Sequence, residues 1–262
     1  MPEVRLEVED RVAVLTLDDP DRHNAWSPEL EAIFYERLDA VDVNPDVRVA
    51  VMTGAGKMFC PGASSDRLAN LTKTGLDYSG RIPFTKTLTF RKPLIAAING
   101  GCAGIGFIQA MFCDVRFMAS TAKMTTAFAR RGLPAEHAIS WMLPRIVGVE
   151  RALDLLLSGR TVTAPEALRL GLVSRVVEPD ELLPAAIGYA RDIAASCGPE
   201  AMATIKRQIH TDLDSTYADA LDRAYRLTVQ ASNGAEFREA IDAFTSKRPP
   251  AFEGLKPPSH PE

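Results

Sequence analysis

Residues 93–120, PLIAAINGGCAGIGFIQAMFCDVRFMAS, set Gly100, Gly101, Gly104 and Gly106 between two apolar runs. Glycine lets the backbone take a positive φ or lie close against another group, at a cost in chain entropy. The second apolar run opens a helix near Gly104. The first N–H groups of a helix have no partner within it and sit at the positive end of its dipole. A second glycine loop, CPGAS at 60–64, follows another strand-like run. Two backbone N–H groups, one near Ala63 and one near Ile105, aimed at a single point would form an oxyanion hole. Such a pair stabilises negative charge developing on a carbonyl oxygen. Taken alone, each loop also suits an ordinary strand-to-helix turn.

Other chemistries fit less well. GAGK at 54–57 lacks the GxxxxGK[ST] spacing of a phosphate loop. GIGFIQ at 104–109 starts like a dinucleotide fingerprint but carries Gln109 where the third glycine belongs. GASSD is not a GxSxG nucleophile elbow. Cys60, Cys102, Cys113 and Cys197 show no CxxC spacing and read as reduced, partly buried thiols, with a nucleophilic Cys60 as the lesser alternative. His23, His137, His210 and His260 lack metal-ligand spacing, so no metal is expected.

The elements that must hold these loops are legible along the chain. VRLEVEDRVAVLTLDDP alternates as two strands around a turn at Glu9–Asp10. SPELEAIFYERLDAV is a helix with Ser27 as N-cap and Pro28 at its first position, burying Leu30, Ile33, Phe34, Leu38 and Val41. Strands are expected at 47–54, at PLIAAING, at VRFMAS and at LVSRVV, with a helix from about Gly104 to Cys113. VERALDLLLSG ends at Gly159. TAPEALRLG is a short helix capped by Thr163 and stopped by Gly171. From about Pro199 the chain is helical, broken at 232–234, with a Pro-rich tail that is loose at its end. The architecture is α/β with an all-helical C-terminal part. At 262 residues the chain can form one large domain or a domain with an appendage. With 46% hydrophobic and 24% charged residues and a net charge of −4, it shows no bulk-charge surface for nucleic acid or membrane, although a locally basic pocket for an anion stays open. No apolar run reaches bilayer length, and the charged N-terminus predicts no signal peptide and a cytoplasmic protein.

Five segments carry a resemblance. KMFCPGASSD is similar to F-[SC]-x-G-A-D-[LI], and KPLIAAINGGCAGIGFIQAMFCDVRFMAS to K-P-[VT]-I-A-A-[VI]-N-G-x-A-x-G-G-G followed by C-D. LSGRTVTAPEALRLGLVSRVV resembles L-[TL]-G-x-x-[IF]-x-A-x-E-A with G-L-V-[NS]-x-V-V. DRHNAWSPEL resembles an early R-x-N-A-[LF] turn, and EFREAIDAFTSKRPPAF a closing helix. Together, in order over nearly the whole chain, they resemble the crotonase (enoyl-CoA hydratase/isomerase) superfamily. The resemblance implies a right-handed spiral of ββα units over 1–198 holding an acyl-CoA site, and a helical oligomerisation module over 199–262 that builds trimers, often paired into hexamers. It implies fatty-acid-type chemistry on an acyl-CoA thioester, with coenzyme A arriving as part of the substrate and no other cofactor. Ala63 and Ile105 would hold the thioester oxygen. Arg22, Asn24, Ala25, Ser64, Asp66 and Gly104 would line the CoA and thioester site, and Lys247, with Arg248, would reach a neighbour's phosphates.

The chain also departs from the family pattern. The two glutamates that handle water in the resembled hydratases fall at Ile108 and Phe128, and neither side chain moves a proton. Ile105 stands where the family has glycine, and Ser64 where it has aspartate. Glu136, eight residues beyond Phe128, matches the acid of the double-bond isomerases of the family. Removing a proton α or γ to a thioester gives a dienolate, which two amide donors suit. Phe128, Trp141 and Met142 would favour a protonated Glu136, whereas Arg130 and Arg131 would oppose this. His137 is expected to point elsewhere in a helical turn, and Asp114 to be structural. Three readings follow: an isomerase with Glu136 as base, a hydratase or related acyl-CoA lyase or hydrolase, and a non-catalytic acyl-CoA binder. The stretch 67–90 is expected to cover the pocket and set acyl specificity.

Overall fold

The computed structural model describes residues 1–75, 79 and 83–257. The chain starts with an antiparallel pair, β1 (Glu3–Glu9) and β2 (Val12–Asp18). Asp10 and Arg11 both take positive φ, 49° and 67°, so the turn lies one residue later than the alternation suggests. Left-handed residues at both turn positions match the twist of a two-residue hairpin.

From β3 to β8 the strands are dealt alternately to two sheets. β3 (Val49–Gly54), β5 (Leu94–Ile98), β7 (Val115–Ala119) and β10 (Arg175–Val177) extend the first sheet, in the order β1-β2-β3-β5-β7-β10. β4 (Met58–Cys60), β6 (Gly101–Ala103), β8 (Lys123–Thr125) and β9 (Val162–Thr163) form the second, in that order. The pairings β2·β3, β3·β5, β5·β7 and β7·β10 are all parallel. Each pair β3–β4, β5–β6 and β7–β8 therefore adds one strand to each sheet before the chain turns into a helix, which is a spiral of ββα units. Parallel strands covered on both faces are continuously apolar. VAVMTG of β3 and LIAAI of β5 are accordingly buried along their whole lengths.

The helices answer to their sequences. α1 (Pro28–Val43) starts at Ser27, whose Oγ accepts from the Leu30 N–H at 3.2 Å. Tyr35, not Ile33, joins Leu30, Phe34, Leu38 and Val41 on its buried face. α2 (Ser65–Thr74) follows β4, and α3 (Ile105–Phe112) follows β6. All eight residues of α3 are buried, as expected of a helix apolar all round. α4 (Ile139–Val147), α5 (Val149–Ser158), α6 (Ala164–Leu170) and α7 (Leu182–Ser196) complete the core. Gly159 and Gly171 close α5 and α6 in the left-handed region, but the Thr163 side chain makes no cap bond to α6.

The last helices, α8 (Pro199–Asp212), α9 (Tyr217–Ser232) and α10 (Ala235–Thr245), start where α7 ends. The Glu236 carboxylate accepts from the Glu200 and Ala201 N–H groups and so ties α10 to the start of α8. Asp114 is a structural clamp between core and module. Its Oδ2 accepts from the Leu94 N–H at 2.7 Å and from Lys206 Nζ, on α8, at 2.8 Å. Ile205, Ile209, Tyr225, Val229 and Phe244 of these helices are exposed. The end of the tail, including His260, and residues 76–78 and 80–82 within the stretch expected to cover the pocket lie outside the described residues.

Candidate active site

The Arg22–Ala25 turn is locked by Asn24, a fully buried residue with φ near 60°. Its Oδ1 accepts from the Asp19 N–H at 2.9 Å. Its Nδ2 donates to the Ala55 and Met58 carbonyls at 2.9 and 2.7 Å. Asn24 is thus used up in joining two loops. Asn24→Ala takes the partner from the Asp19 N–H and the Ala55 carbonyl, while the Met58 carbonyl still accepts from Asn99 Nδ2 at 3.4 Å. It should cost about 1–3 kcal/mol per group left buried and unsatisfied, read as a lower urea midpoint with an unchanged slope.

Past this turn, the Trp26 N–H donates to the Gly62 carbonyl at 2.7 Å, and the Ser64 N–H donates to the Trp26 carbonyl at 3.3 Å. These two bonds form a parallel bridge around Ala63. Because Trp26 takes the groups on either side of Ala63, the N–H of Ala63 points the opposite way. Ser64 Oγ accepts from the Arg67 N–H at 3.2 Å and caps α2, so it is spent on the helix start.

Gly62 (φ 102°) and Gly104 (φ 51°) bring the two loops together. A Cβ on Gly62 would lie 3.1 Å from the Ala103 carbonyl oxygen and 3.5 Å from the Ile105 nitrogen. A Cβ on Gly104 would lie 3.7 Å from Gly62 Cα. The amides that follow these glycines, those of Ala63 and Ile105, therefore belong to neighbouring segments. The Ile105 N–H is in the first turn of α3 and has no intrahelical acceptor. Gly100 and Gly106 serve a different purpose. Their hypothetical Cβ atoms would meet the Lys57 and Cys60 carbonyl oxygens at 2.0 and 2.2 Å, so what lies against that backbone is the chain's own β4 segment.

A cleft of about 300 Å³ opens beside these amides. Ala63, Gly104 and Ile105 line it together with Arg67, Leu68 and Leu71. Phe128, Arg131, Leu133, Glu136 and His137, from the segment before α4, complete it. The Arg67 guanidinium is nearly buried, pairs with Glu31 at 2.6 Å and lies over the Phe84 ring at 5.2 Å. Phe84 is fixed through its carbonyl, which accepts from Tyr35 Oη at 3.1 Å and from Gln109 Nε2 at 3.4 Å, while Thr87 donates to Gln109 Oε1 at 2.6 Å. Burial pushes the Tyr35 hydroxyl well above its ordinary pKa and keeps it a donor. The residue in the third-glycine position is therefore a core polar anchor. Arg131 Nη1 lies 3.8 Å from where a Gly104 Cβ would stand.

The cleft gathers Ala63, Ile105, Gly104, Phe128 and Glu136 from the sequence-predicted set. Arg22, Ser64 and Asp66 instead line a neighbouring groove of about 580 Å³ that shares Arg67 with the cleft. The Arg22 and Asp66 charges there are exposed and 4.0 Å apart. Ala25 is half-buried in the turn between them. Trp141 does not line the cleft. Its Nε1 donates to Asp214 at 3.2 Å and its ring lies under Arg145. Lys247 is exposed beyond α10, and Arg248 is held by Glu239 and Asp242 within the chain. His137 overturns an expectation: it lines the cleft because the segment before α4 is not helical. Arg67, Leu68 and Leu71 of α2 fall in the stretch expected to cover the pocket, though the sequence singled out none of them; residues 67 and 71, and 68 and 71, have the one-face spacing of a helix. Ile108 is fully buried inside α3.

The cysteine alternative fails on burial, which pushes the Cys60 and Cys113 thiols up to about 12 and the Cys102 thiol well above its usual value. In the native protein at pH 8 a thiol reagent should titrate Cys197 alone at once, the other thiols appearing only on denaturation. No group of three or more His, Cys, Asp or Glu placed to hold a metal, and no helix long and apolar enough to cross a membrane, is found among the described residues.

Two interleaved sheets, a glycine-joined pair of loops and a cleft beside them define an α/β protein of crotonase type. The chain belongs to the enoyl-CoA hydratase/isomerase family, whose sequence pattern matches residues 7–256. It is 33% identical over 254 residues to the 1,2-epoxyphenylacetyl-CoA isomerase of Escherichia coli K12, covering 94% of this chain and 97% of that protein. It is 34% identical over 254 residues to the (E)-benzylidenesuccinyl-CoA hydratase of Thauera aromatica, covering 96% and 99%. The crystal structure of an enoyl-CoA hydratase from Polaromonas sp. JS666 superposes with a TM-score of 0.89 at 30% identity, covering 96% of this chain and 100% of that one. The protein is an acyl-CoA enzyme of this family.

Proposed function

We propose that the protein isomerises a double bond in an acyl-CoA thioester, with Glu136 as the base. The thioester oxygen sits between the Ala63 and Ile105 N–H groups. Glu136 removes a proton from the α carbon of a 3-enoyl thioester, and the electron pair moves onto the oxygen as a dienolate. A proton returned to the γ carbon leaves the conjugated 2-enoyl thioester. Preorganised amide donors stabilise the negative charge that develops on the thioester oxygen on the way to the transition state. The observation carrying this reading is the contact of Gly62 with Gly104 and Ile105, which sets both amides beside a cleft that also holds Glu136, while the two positions matching the hydratase glutamates are Ile108 and Phe128.

The CoA moiety lies along the Arg22–Ala25 turn and the Ser64–Asp66 groove, and no cofactor beyond that CoA takes part. The exposed apolar residues of α8–α10 support assembly of copies into a trimer or hexamer, in which Lys247 reaches the CoA phosphates bound by a neighbour. The cytoplasm is the expected compartment. A hydratase reading, with the water placed by Glu136 alone or by another group, draws support from the names of its relatives, which are mostly hydratases.

Absorbance of the conjugated thioester separates the two. A gain on a 3-enoyl-CoA supports isomerisation, and a loss on crotonyl-CoA supports hydration. Silence with both, alongside retained CoA binding, supports a non-catalytic binder or an acyl group that neither probe carries.

A further inference from the structure

We propose that His137 is a second proton-transfer residue, paired with Glu136 as base; this rests on the isomerase reading. His137 and Ala138 take φ of 50° and 60°, in the left-handed region. Residues other than glycine adopt this backbone conformation at a cost, and such residues cluster at functional sites. The conformation has a visible result. In a helix, consecutive side chains diverge by about 100° and only one of Glu136 and His137 would face a given cleft. Here both line the same one. The Glu136 carbonyl then accepts from the Ile139 N–H at 3.0 Å, so α4 starts only after the reversal.

The imidazole has a fixed seat. Its ring centre lies 4.0 Å from that of Phe84, at 36°. Phe84 is itself held by the buried bonds from Tyr35 and Gln109. A ring placed by the core, able to hold a proton on either nitrogen, is suited to deliver one.

The step balances as follows. The Glu136 carboxylate takes the α proton, and the C–H pair becomes the dienolate. The His137 imidazolium gives its N–H proton to the γ carbon, forming the new C–H bond and the conjugated alkene. The protonated Glu136 then passes its proton to the neutral imidazole, directly or through water, which restores both groups with no oxidant, reductant or net proton.

The experiment is turnover of a 3-enoyl-CoA in D2O at low conversion, with deuterium at the γ carbon of the product read by mass spectrometry. With His137 as donor, the wild-type product carries solvent deuterium at that carbon. His137→Gln should slow turnover about 10²-fold, the lower end for a general acid, with CoA binding kept, and shift the γ hydrogen towards the proton taken from the α carbon. A wild-type product whose γ hydrogen comes from the substrate overturns the assignment without any variant. So does a His137→Gln enzyme with wild-type rate and label, and in both cases the isomerase reading stands. A wild-type protein that converts no 3-enoyl-CoA removes the isomerase reading and His137 with it.

Discussion

Glu136→Gln should lower turnover of a 3-enoyl-CoA by about 10²–10⁴-fold, the usual contribution of one positioned acid or base. The substitution keeps the side-chain shape and removes the group that accepts the proton. The two amides, the Arg22–Asp66 groove and the Arg67–Glu31 pair are untouched. CoA affinity should therefore stay within about twofold of wild type, since a loss of kcat with unchanged ground-state binding marks an interaction made only in the transition state. Stopped assays give kcat, and calorimetric titration with CoA gives affinity. Undiminished turnover in the variant would remove Glu136 from the mechanism.

Gly106→Ala should damage both stability and activity, although Gly106 does not line the cleft. The added methyl would stand 2.2 Å from the Cys60 carbonyl oxygen, 2.7 Å from Cys60 Cβ and 2.9 Å from the Cys60 carbonyl carbon. Two of those atoms are backbone, so no side-chain rotation relieves the clash. Either α3 or β4 must move by about 1 Å. Overpacking a dense core costs about 1–3 kcal/mol, occasionally more. A shift of this size also separates the Ala63 and Ile105 amides, and misplacement by about 1 Å can cost about 10²-fold in rate. Gly188→Ala is the control. Its Cβ meets nothing within 4 Å on α7, so the change should be neutral or stabilise by about 0.5–1 kcal/mol, as alanine does in a helix. Thermal unfolding and kcat of both variants provide the comparison. Equal melting and activity for Gly106→Ala and Gly188→Ala would show that the α3–β4 contact is not tight.

Much was legible in the sequence because it depends on near neighbours. The alternation of VRLEVE and VAVLTLD, the Ser27 cap, the apolar runs of β3 and β5 and the glycine stops of α5 and α6 are local physics. The segments around Ala63, Ile105 and Glu136 stood out by residue type and motif. Short strands did not. β4, β6 and β8 are three residues each, too brief for periodicity, and they exist because the spiral hands one strand to the second sheet at every turn. His137 departs from the expectation because His137 and Ala138 take positive φ, and its ring packs on Phe84, a residue more than fifty positions away. Trp141 and Asn24 look like site residues in one dimension, but distant partners, Asp214 and the loop carbonyls, use up their polar groups. The sequence by itself determined the family, the core strands, the helix ends and the loops that carry the amides, since each rests on a few adjacent residues. Only the tertiary structure decided which glycines face the cleft and which face their own chain, which charged groups line it, and that Glu136 and His137 share it. Those outcomes depend on contacts between segments far apart in the chain, and no local pattern encodes them.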